Sequence, residues 1–135
     1  MAETKIPKNS RTRPPSFPFY PADWKSDNEL QSCSLPAKGL LIELMCLMHQ
    51  SKRYGYLLVN GSIPTDQTVA RLLSEHPRTV LKLISELIQA GVLKRENDGT
   101  LFCKRMVKDE ALRILRREVG KKGGNPSLIN KDEFG

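Results

Sequence analysis

Long apolar runs are missing from this chain of 135 residues. No stretch approaches the ~18 continuous apolar residues that a membrane span needs, so no membrane partner is expected. The start, Met1-Ala2-Glu3-Thr4-Lys5, lacks the apolar core of a secretion signal, and a cytoplasmic location is expected. Cysteine is scarce. Three residues, Cys33, Cys46 and Cys103, make no disulfide framework, and the odd count suits a reducing compartment. Cys46-Leu47-Met48-His49 is at most half of a metal site. Only the distant Cys33, Cys103 and His76 could complete it, whereas structural zinc takes about four ligands in close pairs. Cys46 is therefore expected to be a buried cysteine on an apolar helix, with no cofactor. A phosphate-cradling glycine loop, a nucleophile elbow and a paired-carboxylate site are all missing, so the chain reads as a non-enzyme.

Positive charge is what the chain has. Lys and Arg number 22 against 15 acids, a net +7 with a pI near 9.5. This balance favours a polyanionic partner. The hydrophobic share of 39% fits one compact core with polar ends.

Residues 63–106 carry the strongest pattern. Thr65 can cap a helix over 65–73, with Val69, Leu72 and Leu73 on one face. Ser74-Glu75-His76 breaks it. A second helix opens at Pro77, with His76 at the N-cap, and stops at Gly91, a natural left-handed C′ residue. Val80, Ile84, Leu87 and Ile88 form its buried stripe, and Leu81 and Leu83 are expected to widen it. Two β-prone runs follow, 92–96 and 100–106, joined by the turn signal Asp98-Gly99. The order predicts a mainly α fold with a small β wing, a winged helix-turn-helix.

On the second helix Arg78, Lys82, Ser85 and Gln89 fall at i, i+4, i+7 and i+11, a single face. A helix in the major groove needs such a stripe: cations for phosphates and guanine edges, amides and hydroxyls for other edges. The competing reading is an ordinary solvated face, and Glu75 and Glu86 would repel phosphates. The wing and the basic flanks favour DNA. The candidate DNA-binding set is Arg78, Thr79, Lys82, Ser85 and Gln89, Lys94 and Arg95 on the wing, Lys104 and Arg105 after it, and Lys121 and Lys122.

The flanks divide the chain into a disordered basic arm over 1–16, a winged-helix domain over 17–119 and a flexible basic tail or linker over 120–135. Phe17-Pro18-Phe19-Tyr20-Pro21-Ala22-Asp23-Trp24 is too proline-rich for a regular helix and is expected as an extended strap, packed through Trp24, with base stacking as the alternative. Residues 26–30 suggest a helical turn. Ser34 caps the longest helix, 34–50, which is apolar nearly all round and so central. Residues 56–59 are a strand candidate, and Asn60-Gly61 a turn. A last helix, 107–119, is expected to be capped by Gly120. Residues 104–122 hold eight cations and three acids, a local balance of +5. Lys131-Asp132-Glu133-Phe134-Gly135 does not resemble a natural stop, and more chain is expected beyond it.

Several pieces together resemble a phage and prophage family of replication-associated winged-helix proteins. They are Phe19-Tyr20-Pro21-Ala22-Asp23-Trp24, Cys33-Ser34-Leu35-Pro36-Ala37-Lys38-Gly39-Leu40, Gly55-Tyr56-Leu57, Ala70-Arg71-Leu72-Leu73, Leu87-Ile88-Gln89-Ala90-Gly91-Val92, Lys104-Arg105-Met106-Val107-Lys108-Asp109 and the run from Arg117 to Pro126. Ser74-Glu75-His76 stands where helix-turn-helix turns usually carry Gly-apolar-Ser. The resemblance covers most of residues 17–126 and implies the DNA-binding half of a replication initiator or replisome organiser. Double-stranded DNA at a phage replication origin is then the expected partner, in the cytoplasm of a bacterial host. A replisome adaptor touching a helicase or helicase loader, a phage transcriptional regulator, and a homodimer stay open.

Overall fold

The computed structural model describes residues 14–123. They form a mainly helical fold with a small two-stranded antiparallel sheet. Of the expected basic arm and tail, residues 1–13 and 124–135 lie outside the described part. Among the described residues no helix is long and apolar enough to cross a membrane.

The chain enters through α1 (Pro21–Ser26) and α2 (Asn28–Gln31). A fully extended strap over 17–24 is thus corrected: Pro21 sits in the first turn of α1, where a missing N–H costs nothing. Trp24 does pack, half-buried, against the core, and Phe19 lies on it with ring centroids 5.2 Å apart. Phe17 packs against His49 at 5.6 Å, and the His49 ring bonds the Pro14 carbonyl at 3.0 Å. Asp27 caps α2 by accepting from the Leu30 N–H.

Helix α3 (Leu35–Gln50) is the central element. Ala37, Leu40, Leu41, Leu44, Met45 and Met48 are buried along it. Ser34 caps it as the sequence predicts, accepting from the Ala37 N–H. Cys46, expected buried, is exposed instead: it falls on a side of α3 that no described residue covers. Burial does push the Cys33 and Cys103 thiols up from their ordinary range.

Helices α4 (Asp66–Leu72) and α5 (Pro77–Gln89) pack on one another, and α5 packs on α3. Thr65 caps α4 through the Thr68 N–H, and His76 Nδ1 accepts from the Arg78 N–H at the start of α5. The break between them is a tight helix end. Glu75 N–H donates to the Ala70 carbonyl and Ser74 N–H to Arg71, with Ser74 at φ +56. The same pair of bonds closes α5, from Val92 to Leu87 and from Gly91 to Ile88, with Gly91 at φ +87. Val80, Ile84 and Leu87 are buried. Leu72 and Leu81 were expected in the core stripes but are 49% and 44% exposed, because each lies at the edge of its helix's buried arc.

Strands β1 (Leu93–Arg95) and β2 (Leu101–Cys103) pair antiparallel, Leu93 opposite Cys103 and Arg95 opposite Leu101. The hairpin closes at Glu96–Gly99, with Gly99 at φ +96 donating to the Glu96 carbonyl. The expected strand over 56–59 is a single bridge, Tyr56 to Phe102, backed by Leu57 N–H to the Leu101 carbonyl and Cys103 N–H to Gly55. It stops there because Val59 turns back onto Ser62 through Asn60 and Gly61, both at positive φ. Helix α6 (Lys104–Gly123) begins and ends outside the expected 107–119. It starts directly after Cys103, the last residue of β2. At its far end Gly120 does not stop it, and the helix continues to Gly123.

Candidate nucleic-acid interface

Helix α5 presents the stripe read from its spacing. Arg78, Thr79, Lys82, Ser85 and Gln89 are all exposed, while Val80, Ile84 and Leu87 on the opposite side hold the helix to α3 and α4. The side chains of Arg78, Lys82, Ser85 and Gln89 make no hydrogen bond or ion pair to any described residue. Their donors therefore face water. The Glu86 carboxylate, on the flank of this stripe, is committed elsewhere. It accepts from the Ser34 backbone N–H and from the Ser34 hydroxyl (2.9 Å), so it ties α5 to the start of α3. Glu75 remains exposed at the break.

The hairpin is joined to the end of α5 by the turn at Gly91. Lys94 and Arg95 are exposed on β1, and Arg95 donates to the Gly99 carbonyl across the turn at 3.0 Å. The turn itself is fixed by Asp98, whose carboxylate accepts from the Thr100 hydroxyl at 2.7 Å and its N–H at 2.9 Å. Those two bonds hold the Asp98 carboxyl below its ordinary range.

The structure separates the remaining candidates from this face. Lys104 is exposed in the first turn of α6, and Lys121 is exposed near its other end. Lys122 is helical, but its side chain lies outside the described part. Arg105 is half-buried, and its guanidinium pairs with Asp27 at 2.7 Å. It is a strut between α6 and the cap of α2, which leaves it less free to meet phosphate. Helix α6 packs on β2 while α5 packs on β1, so the α6 cations extend from the far strand of the hairpin.

One cation escaped the sequence reading. Arg53 lies 3.6 Å over the Tyr56 ring, and Tyr56 lies 5.0 Å from Phe102 on β2. Arg53 also makes a two-pronged pair with Glu96 at 2.8 and 3.0 Å, which holds its guanidinium firmly protonated. The stack builds a polar-aromatic surface on the hairpin. Only the bridge from Tyr56 to Phe102 creates it, so spacing along the chain held no signal for it. Comparison with protein-family models, with curated proteins and with solved structures finds no match for this chain.

Proposed function

We propose that this chain is a winged helix that binds double-stranded DNA, with α5 as the reading helix and the β1–β2 hairpin as the wing. The observation that carries the reading is the α5 stripe: four exposed polar or cationic side chains with no partner among the described residues. Leaving donors of this kind in water costs nothing, and a groove supplies acceptors at matching positions. The net +7 supports a polyanion as partner. The internal use of Glu86 supports it too, since this carboxylate on the flank of the stripe is already engaged by Ser34. Arg78 and Lys82 serve phosphates or guanine edges. Ser85 and Gln89 serve register, and Lys94 and Arg95 extend the contact along the backbone. The resemblance to phage replication proteins makes origin binding the preferred setting, without catalysis, in a bacterial cytoplasm. A replisome adaptor or a phage transcriptional regulator is the second setting for the same surface.

The test is duplex binding across a salt series. If ~4–6 phosphates are neutralised, log K falls with log salt at a slope of about −4 to −5. Arg78→Ala and Lys82→Ala each weaken binding by ~1–3 kcal/mol and leave thermal stability unchanged. Binding that ignores salt, or that both variants retain in full, overturns the assignment of α5.

A further inference from the structure

The distal half of α6 leaves an apolar stripe in water. Leu112, Leu115 and Val119 are 39%, 58% and 42% exposed. Their spacing, i, i+3 and i+7, sets them on one face, in line with Lys108 one turn earlier. Phe19 and Tyr20 are 46% and 59% exposed and border the same groove as Leu112, so they widen the patch at its near end. A single exposed leucine is ordinary, but three large apolar side chains on one helix face, with Phe19 and Tyr20 beside the first of them, suit a surface that is covered in use. The helix points the same way. Residues 111–121 are almost all exposed, and a helix of that length is marginal in water without a packed face.

We propose that this face is the interface between two copies of this chain, with the α6 helices packed antiparallel about a two-fold axis between Leu112 and Leu115. The charges flanking the stripe argue for a second copy and for that direction. Lys108, Leu112, Leu115 and Val119 follow the alternating three-four spacing of a paired helix, and Asp109 and Arg116 each come one residue after a stripe position, on the same flank. In an antiparallel pair like flanks meet, so Asp109 of one copy faces Arg116 of the other, twice by symmetry. A parallel pair would set Asp109 against Lys104 but Arg116 against Ala111, so only the antiparallel pair gives Arg116 a counter-charge as well. Asp109 has room for such a counter-charge. It makes no ion pair with a described residue, and burial, with Asp23 adding to it, lifts its carboxyl above the ordinary range despite Arg105 and Lys108. Leu112 packs on Leu115 of the second copy and Val119 on the alkyl stem of Lys108, whose amine reaches water. Each copy contributes on the order of 400 Å² of apolar surface, below the roughly 600–1,000 Å² per partner of stable specific interfaces, so the dimer is weak and concentration-dependent.

The inference does not rest on DNA binding, and its test uses no nucleic acid. Sedimentation equilibrium of the full chain, from micromolar to millimolar concentration, reads the mass directly. The expected result is a rise from monomer towards dimer. Leu115→Glu stays monomeric throughout, with its helical circular dichroism intact, because the position is mostly exposed. Arg116→Asp sets like charges together twice and weakens the dimer about threefold to tenfold. Adding Asp109→Arg to it restores the parent affinity. A monomer at every concentration, a dimer that Leu115→Glu leaves intact, or a folded double variant without rescue would each overturn the proposal, the first pointing to another protein as the occupant.

Discussion

Ser74 holds a conformation that suits it poorly. It is the C′ residue of α4, at φ +56, and its own N–H to the Arg71 carbonyl and the Glu75 N–H to the Ala70 carbonyl fix it there. Left-handed backbone costs a residue with a Cβ roughly 1–2 kcal/mol relative to glycine. Ser74→Gly should therefore raise stability by about 1 kcal/mol. Urea denaturation measures this, and an unchanged or lower midpoint would show that the serine is supported in a way the backbone does not reveal. Glu86 teaches a second lesson at this scale. From sequence it is a carboxylate on the edge of a reading helix and an objection to DNA. In the fold it is the acceptor for Ser34, fifty-two positions away in the chain.

Among the elements, the β1–β2 hairpin carries a carboxylate bonded within its own turn. Asp98 accepts twice from Thr100, and these bonds hold its carboxyl below the ordinary range. A carboxylate with a lowered folded-state pKa contributes its full stabilisation above the unfolded value of about 3.9, and loses it as pH falls through the lower folded value. The hairpin tip should thus hold at neutral pH and loosen only in strong acid. Following the Thr100 amide by NMR during an acid titration checks this. A transition at the ordinary aspartate pH, or one that persists in Asp98→Asn, would disprove it. Helix α6 illustrates how an element's bounds escape local rules. Gly120 is a plausible stop by composition, yet the helix runs past it. At the other end the helix starts directly from Cys103 of β2, with none of the Ser, Thr, Asp or Asn that sequence rules expect of a cap.

For the molecule as a whole, Gly55 is the junction. Its carbonyl accepts from Cys103 of β2, its N–H donates to Met48 of α3, and a Cβ there would come within 2.8 Å of a Val107 methyl on α6. Its φ of +87 adds backbone strain for any other residue. Gly55→Ala should cost about 2–4 kcal/mol, through strain and overpacking together. Because three elements meet there, the loss should appear equally in probes of α3 and α6 during thermal unfolding. A loss confined to α6, or none, would mean that α6 is not docked as one unit with the body.

The sequence alone was enough for whatever depends on near neighbours in the chain. Caps at Thr65, Ser34 and His76, the stops at Ser74 and Gly91, the turns at Asn60 and Gly99 and the α5 stripe all follow from spacings of a few residues, where hydrogen bonds and sterics are local. Helix α1 was missed because proline was read as a breaker rather than as a first-turn residue, an error of local chemistry. Tertiary structure decided the rest. It tied Arg105 to Asp27, gave Glu86 to Ser34 and stacked Arg53 on Tyr56 beside Phe102. It also left Cys46, Leu81 and the α6 stripe in water. Each of these depends on which faces meet across long stretches of chain, and burial and pairing across such distances arise only when the elements pack.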